Sequence, residues 1–188
     1  YLRGKDQIGL TRQTVAIGLG PLTALTTGTE NIAIGTSAAD ALTTGGNNIA
    51  MGLNAYGVAT TGSNNIALGT LALGAGVTTG EANIVMGYAA ADALVEGSCN
   101  IAFGVNALGA STDGCDNIAI GQTALAASGN DADKNVAIGL LAMGTGDVSG
   151  ACNIAIGVSA LSAVTSGYDN IALGATSSDA VNTGFNNI

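Results

Sequence analysis

The chain has 188 residues, 47% of them hydrophobic but only 3% aromatic and 9% charged, with 30 glycines, one proline and neither histidine nor tryptophan. That much apolar content excludes a disordered chain, while the shortage of large side chains excludes a thick globular core and favours thin, tightly stacked layers. A formal charge of −9, with Lys134 the only base after Arg12, argues against nucleic acid and anionic membranes as partners, and no run of about 18 apolar residues offers a membrane-inserting helix.

Residues 1–13 read as a partial first coil, and residues 14–188 as one continuous repeat array, a piece of a longer fibre. Thr14 opens a first copy, "TVAIG". Asn31, Asn48, Asn65, Asn83, Asn100, Asn117, Asn135, Asn153 and Asn170 then each head a pentapeptide of the "NIAIG" type, 17 or 18 residues apart. A Gly closes every pentapeptide, and a second usually follows 10 or 11 residues later behind Thr, Ser or an acid, which suits two corners per coil.

Alternation within "NIAIG" puts the two large residues on one face of a short strand and Asn, Ala and Gly on the other. The large columns, beginning Ile32, Ile49, Ile66 and Ile34, Met51, Leu68, are expected to bury a continuous apolar stripe. Ala33, Ala50, Ala67, Ala102, Ala119, Ala137, Ala155 and Ala172 occupy the opposite face, where a solvated strand would carry Thr, Lys or Glu. That column demands a closely packed neighbour, either another wall of the coil or another chain, and the reading adopted is a boundary between chains. A second Ala column, Ala38, Ala55, Ala72, Ala90, Ala107, Ala124, Ala142 and Ala160, follows three residues after each Gly. The predicted fold is all-β, a parallel β-solenoid or β-roll of about ten 17- to 18-residue coils. A helix over "TSAADALTTG" is the competing assignment, but ten residues ending in Gly make a poor one.

The repeated Asn reads as a structural ladder: an amide at the same corner of successive coils can bond the copies above and below it. Catalysis has little to work with, since no histidine is present and no pair of carboxylates recurs in a fixed frame, so the chain reads as non-enzymatic and without a cofactor. Gly-x-Gly at 18–20, 74–76 and 144–146 lacks the strand-to-helix setting of a dinucleotide site. In "NDADKN", Asn130, Asp131 and Asp133 place oxygen ligands that could suit calcium, although a solvated loop is the simpler reading. Cys99 and Cys115 lie about one coil apart, near enough to consider a disulfide, with buried or half-buried thiols for all three cysteines as the preferred reading. Repeated "TTG" raises an ice-binding threonine face, but the run fails at "VEG", "TDG" and "VSG".

The pattern "NIAIGxxAxxxxTTGxxN", as in residues 31–48, resembles the "NTAIG...AL...TTG" repeats of bacteriophage tail fibres and related surface proteins. It is similar, in lengthened form, to the head repeats of trimeric autotransporter adhesins, which form parallel β-rolls. The resemblance runs from Thr14 onward, with Pro21, Ser177 and the segment 127–139 as departures. It implies a homotrimer of solenoids about one axis, a stiff shaft or receptor-facing rod on a virion, and a host cell-surface receptor or glycan as the partner it meets. A bacterial surface adhesin is the alternative within the same physics, and an ice-binding solenoid the alternative of another class.

Overall fold

The computed structural model describes residues 13–76, 78–128, 132–178 and 182–188, so all but the last residue of the partial first coil lies outside the described residues. Ten three-residue strands follow one another at coil intervals: β1 (Val15–Ile17), β2 (Ile32–Ile34), β3 (Ile49–Met51), β4 (Ile66–Leu68), β5 (Ile84–Met86), β6 (Ile101–Phe103), β7 (Ile118–Ile120), β8 (Val136–Ile138), β9 (Ile154–Ile156) and β10 (Ile171–Leu173). They pair in chain order into one ten-stranded parallel sheet. Register is set by the repeat itself, as in Ile101↔Ile118, Ala102↔Ala119 and Phe103↔Ile120. The molecule is a parallel β-solenoid, one repeat per coil, and the "TSAADALTTG" type of segment runs as turns and not as helix.

Turn chemistry explains how so short a strand can close a coil. The Gly after each strand takes a backbone conformation that L side chains rarely adopt, with φ +132° at Gly104. A Cβ there would stand 2.6 Å from the carbonyl oxygen of Gly121 in the next coil. Three further positions per coil are left-handed and, from the second coil on, none is glycine, in the third coil Asn54 (φ 52°), Tyr56 (φ 55°) and Asn64 (φ 61°). Each such residue costs about 1–2 kcal/mol of backbone strain. Each also donates its N–H to an adjacent coil, Asn54 to Thr36 O at 3.0 Å, Tyr56 to Ala72 O at 2.9 Å and Asn64 to Gly46 O at 3.0 Å. The neighbouring coils therefore hold the strained turns in place, and an isolated repeat would have nothing to hold them.

The interior corrects one expectation. The Ala column of the strands, from Ala33 to Ala172, is buried inside the chain's own coil and not at a boundary between chains. It faces a second wall made by the Ala38 to Ala160 column with Leu42, Tyr56, Leu73, Leu94, Leu108, Leu125, Met143 and Leu161. The large column, which the sequence reading buried, lies outside and is half-buried or exposed. The reason is volume: a coil this short encloses little room, and in most coils one large side chain stands beside small ones. Ala39 lies beside Leu42, Tyr56 beside Ala59, Ala91 beside Leu94, Leu108 beside Ser111 and Leu125 beside Ser128, all buried, while the ninth coil buries Leu161 beside Val164. Val85, the one larger residue in the strand column, occurs in the coil that carries Ala90 and Ala91.

Candidate functional site

The polar feature that runs the length of the molecule is the asparagine at the corner before each strand. Asn31, Asn48, Asn65, Asn83, Asn100, Asn117, Asn135, Asn153 and Asn170 are all fully buried. In Asn100, the backbone N–H donates to Asn83 Oδ1 at 3.0 Å, and Nδ2 donates both to Asn83 Oδ1 at 3.1 Å and to Gly114 O at 2.7 Å. Asn100 Oδ1 in turn accepts from the N–H and the Nδ2 of Asn117. Both amide protons and both oxygen lone pairs are thus engaged within the chain, leaving no donor or acceptor for a ligand. All these amides point one way along the axis, so each bond polarises the next.

The amide-to-amide chain lapses at Asn135, where only the backbone N–H reaches Asn117 Oδ1, and it changes partner at Asn65, which the sequence reading missed. Asn65 Nδ2 donates to the hydroxyl of Tyr56 at 2.9 Å and to Gly80 O at 2.9 Å, while its backbone N–H keeps the bond to Asn48 Oδ1. Burial raises the Tyr56 phenol well above its usual range, the bond from Asn65 opposing that rise in part. A single tyrosine in a column otherwise held by Ala, Leu, Met and, in the last coil, Ser178 was the available signal. At half-buried Asp92, burial likewise lifts the carboxyl above the ordinary carboxylate range, against bonds from the backbone N–H groups of Asp92 and Ala93.

Of the three calcium candidates, only Asp133 lies among the described residues. Asn130 and Asp131 lie outside the described residues, and Asp133 Oδ1 accepts the backbone N–H of Cys115 at 2.7 Å. No group of three or more acidic, Cys or His residues able to hold a metal occurs among the described residues. Ala132 takes the place of the corner Gly in that coil, its carbonyl accepting from Asn117 Nδ2 at 2.5 Å. Cys99, Cys115 and Cys152 are free thiols; Cys99 and Cys152 are exposed where half-burial was expected, because the corner position they occupy turns its side chain to solvent. The threonine hydroxyls of the "TTG" run bond within the chain, Thr26 to Thr43 O at 2.9 Å and Thr43 to Thr60 O at 2.9 Å.

The outer face of the sheet is the remaining candidate. Its strand side chains and the residue after each strand-closing Gly, such as Leu53, Tyr88 and Val105, form an exposed apolar band. The position after the Gly went unnoticed in the sequence because it shares no single residue type. No protein-family model, curated protein or solved structure matches the chain.

Proposed function

We propose that this chain is a structural, non-enzymatic segment of a fibre, a stiff shaft or receptor-facing rod of a phage tail fibre that serves host attachment on the virion. The observation that carries the reading is the uninterrupted stack: ten strands in one register, with each described corner Asn bonded to the next. Such a stack resists bending because every coil is fixed to its neighbours by backbone bonds at each turn, and it grows in length by adding coils without new chemistry. The buried amides are spent on that stack, so a host receptor or glycan would be met by exposed surface and not by the ladder. Three copies around a common axis, as the sequence resemblance implies, would stiffen the shaft further. The engaged Thr26 and Thr43 hydroxyls speak against a water-ordering ice face.

Small-angle scattering or negative-stain imaging of the purified chain tests the reading. Ten coils at about 4.8 Å each give a rod of about 48 Å for the array, and the expected result is an elongated particle. A compact, isotropic one would overturn the fibre assignment.

A further inference from the structure

We propose that the sixth and seventh coils bind one water molecule inside the solenoid, held by Ser111, Ser128, Asn117 and Asn135, and that this water carries the asparagine ladder across its lapse. The inference goes beyond the fibre reading and does not depend on it.

Two buried side chains lack a partner in the fold. Among the described residues, Ser111 Oγ and Ser128 Oγ are the only buried side-chain oxygens or nitrogens without a hydrogen bond, although the two residues are 0% and 1% exposed. They stand in successive coils, 17 residues apart. The wall beside them is in register, since Leu108 N–H donates to Ala124 O at 3.0 Å and Ala110 N–H to Ala126 O at 2.9 Å. A hydroxyl buried without a partner is unfavourable, and the same column carries apolar Leu25, Leu42, Ala59, Leu94 and Val164 in other coils.

The ladder has two valences to spare at the same step. On either side of it, an Asn Oδ1 accepts from both the N–H and the Nδ2 of the next Asn, Asn100 from Asn117 and Asn135 from Asn153. Asn117 Oδ1 accepts only the N–H of Asn135, at 3.0 Å, and Asn135 Nδ2 makes one bond, to Gly150 O at 2.9 Å. One lone pair and one amide proton are left over.

Serine and asparagine meet at one corner. A Cβ on Gly114 would stand 2.8 Å from Ser111 Oγ and 3.0 Å from Asn117 Nδ2, so hydroxyl and amide flank the same glycine. At Gly28, Gly45 and Gly97 the corresponding neighbour is a methyl of Leu25, Leu42 or Leu94, which closes the corner with carbon. The third coil shows that an oxygen can sit there. Tyr56 puts its hydroxyl beside Gly62, Asn65 Nδ2 donates to it, and only the Asn65 N–H goes to Asn48 Oδ1. Asn135 repeats that pattern without a phenol. Leu108 with Ser111, and Leu125 with Ser128, are smaller pairs than Tyr56 with Ala59, so a water oxygen can take the place of the phenol oxygen.

Donors and acceptors balance. Stacked coils lie about 4.8 Å apart, a separation that one water spans with two bonds of about 2.8 Å. The water accepts from Asn135 Nδ2 and from one serine hydroxyl, and donates to Asn117 Oδ1 and to the other serine oxygen. Such a set is within the roughly two to four partners that hold a buried water.

A high-resolution crystal structure of the unmodified chain should show one oxygen between the two serines, and a dry interior there would overturn the proposal. In solution, water-to-protein NOE spectra should give a cross-peak at the Asn135 side-chain amide with the sign of a bound molecule. None is expected at Asn153, whose amide protons go to Asn135 Oδ1 and Gly167 O; equal behaviour of the two amides counts against the site. Ser111→Ala combined with Ser128→Ala distinguishes the cases by sign. Removing hydroxyls that have no partner should raise the melting temperature, whereas removing hydroxyls that hold a water should lower it by about 2–4 °C and abolish the Asn135 cross-peak. A higher melting temperature would overturn the proposal. Should the double variant fail to fold, the crystal and the spectra of the unmodified chain still decide.

Discussion

Tyr56 shows how one residue can be accommodated in a repeat that was built for another. Its ring fills the interior of its coil only because Ala59 is small, and its hydroxyl takes an amide proton from Asn65. Burial holds the phenol neutral in the fold while the unfolded chain ionises it near the ordinary value of about 10. Above that pH the folded state therefore binds more protons than the unfolded one, and stability falls as pH rises. Tyr56→Phe should cost about 1 kcal/mol at neutral pH, the net worth of one buried hydrogen bond. That deficit should shrink by up to about 1.4 kcal/mol per pH unit above 10. Urea melts of both proteins from pH 8 to pH 11, on a scale set by the ordinary tyrosine value, check this; a gap that stays constant would mean that the phenol ionises in the fold.

The element that unites the coils is the asparagine stack together with the turn it serves. Asn100 Nδ2 donates to Gly114 O and its Oδ1 accepts from Asn117, so removing its side chain orphans the Gly114 carbonyl in its own coil and the Asn117 N–H in the next, while Asn83 Oδ1 keeps the Asn100 backbone N–H. Buried donors and acceptors left unpaired cost about 1–3 kcal/mol each. Asn100→Ala should accordingly lose at least about 3 kcal/mol, against a change within about 0.5 kcal/mol for exposed Thr44→Ala. Denaturant midpoints of the two variants compare them directly, and equal midpoints would show that the stack does not hold the coils. The strand-closing glycines are as constrained: at Gly104 both the positive φ and the Gly121 carbonyl exclude a side chain.

At the scale of the whole molecule, stability is close to a sum over coils and their contacts with the next. Because Cys99 precedes Asn100 as Asp116 precedes Asn117, excising residues 100–116 rejoins the chain in phase. That deletion should leave a folded solenoid one coil shorter, with circular dichroism scaled to length and a modest loss in melting temperature. Excising only 100–108 puts a turn where a strand must be and should abolish cooperative melting of the following coils. If the two deletions behaved alike, the coil would not be the unit of the fold.

The repeat was legible without coordinates because its information is local. Alternation over five residues specifies a strand, a Gly fixes where it stops, and a 17- or 18-residue interval fixes which strand lies beside which. The Asn at each corner was conspicuous for the same reason. Alternation is silent, however, about which of its two faces looks inward, since Ile-out with Ala-in and the reverse have the same period. Size alone suggested that the large residues form the core. The closed coil decides otherwise, because its interior is already supplied with Leu42, Leu73, Leu94 and their counterparts, which arrive from another wall, as Leu73 follows Ala67 within its own coil. Small side chains fit opposite them, alanine in every described coil except the one with Val85, so alanine goes in and isoleucine goes out. That choice depends on the volume left when the coil closes, which no stretch of sequence contains, and it turns the expected core stripe into an exposed apolar face.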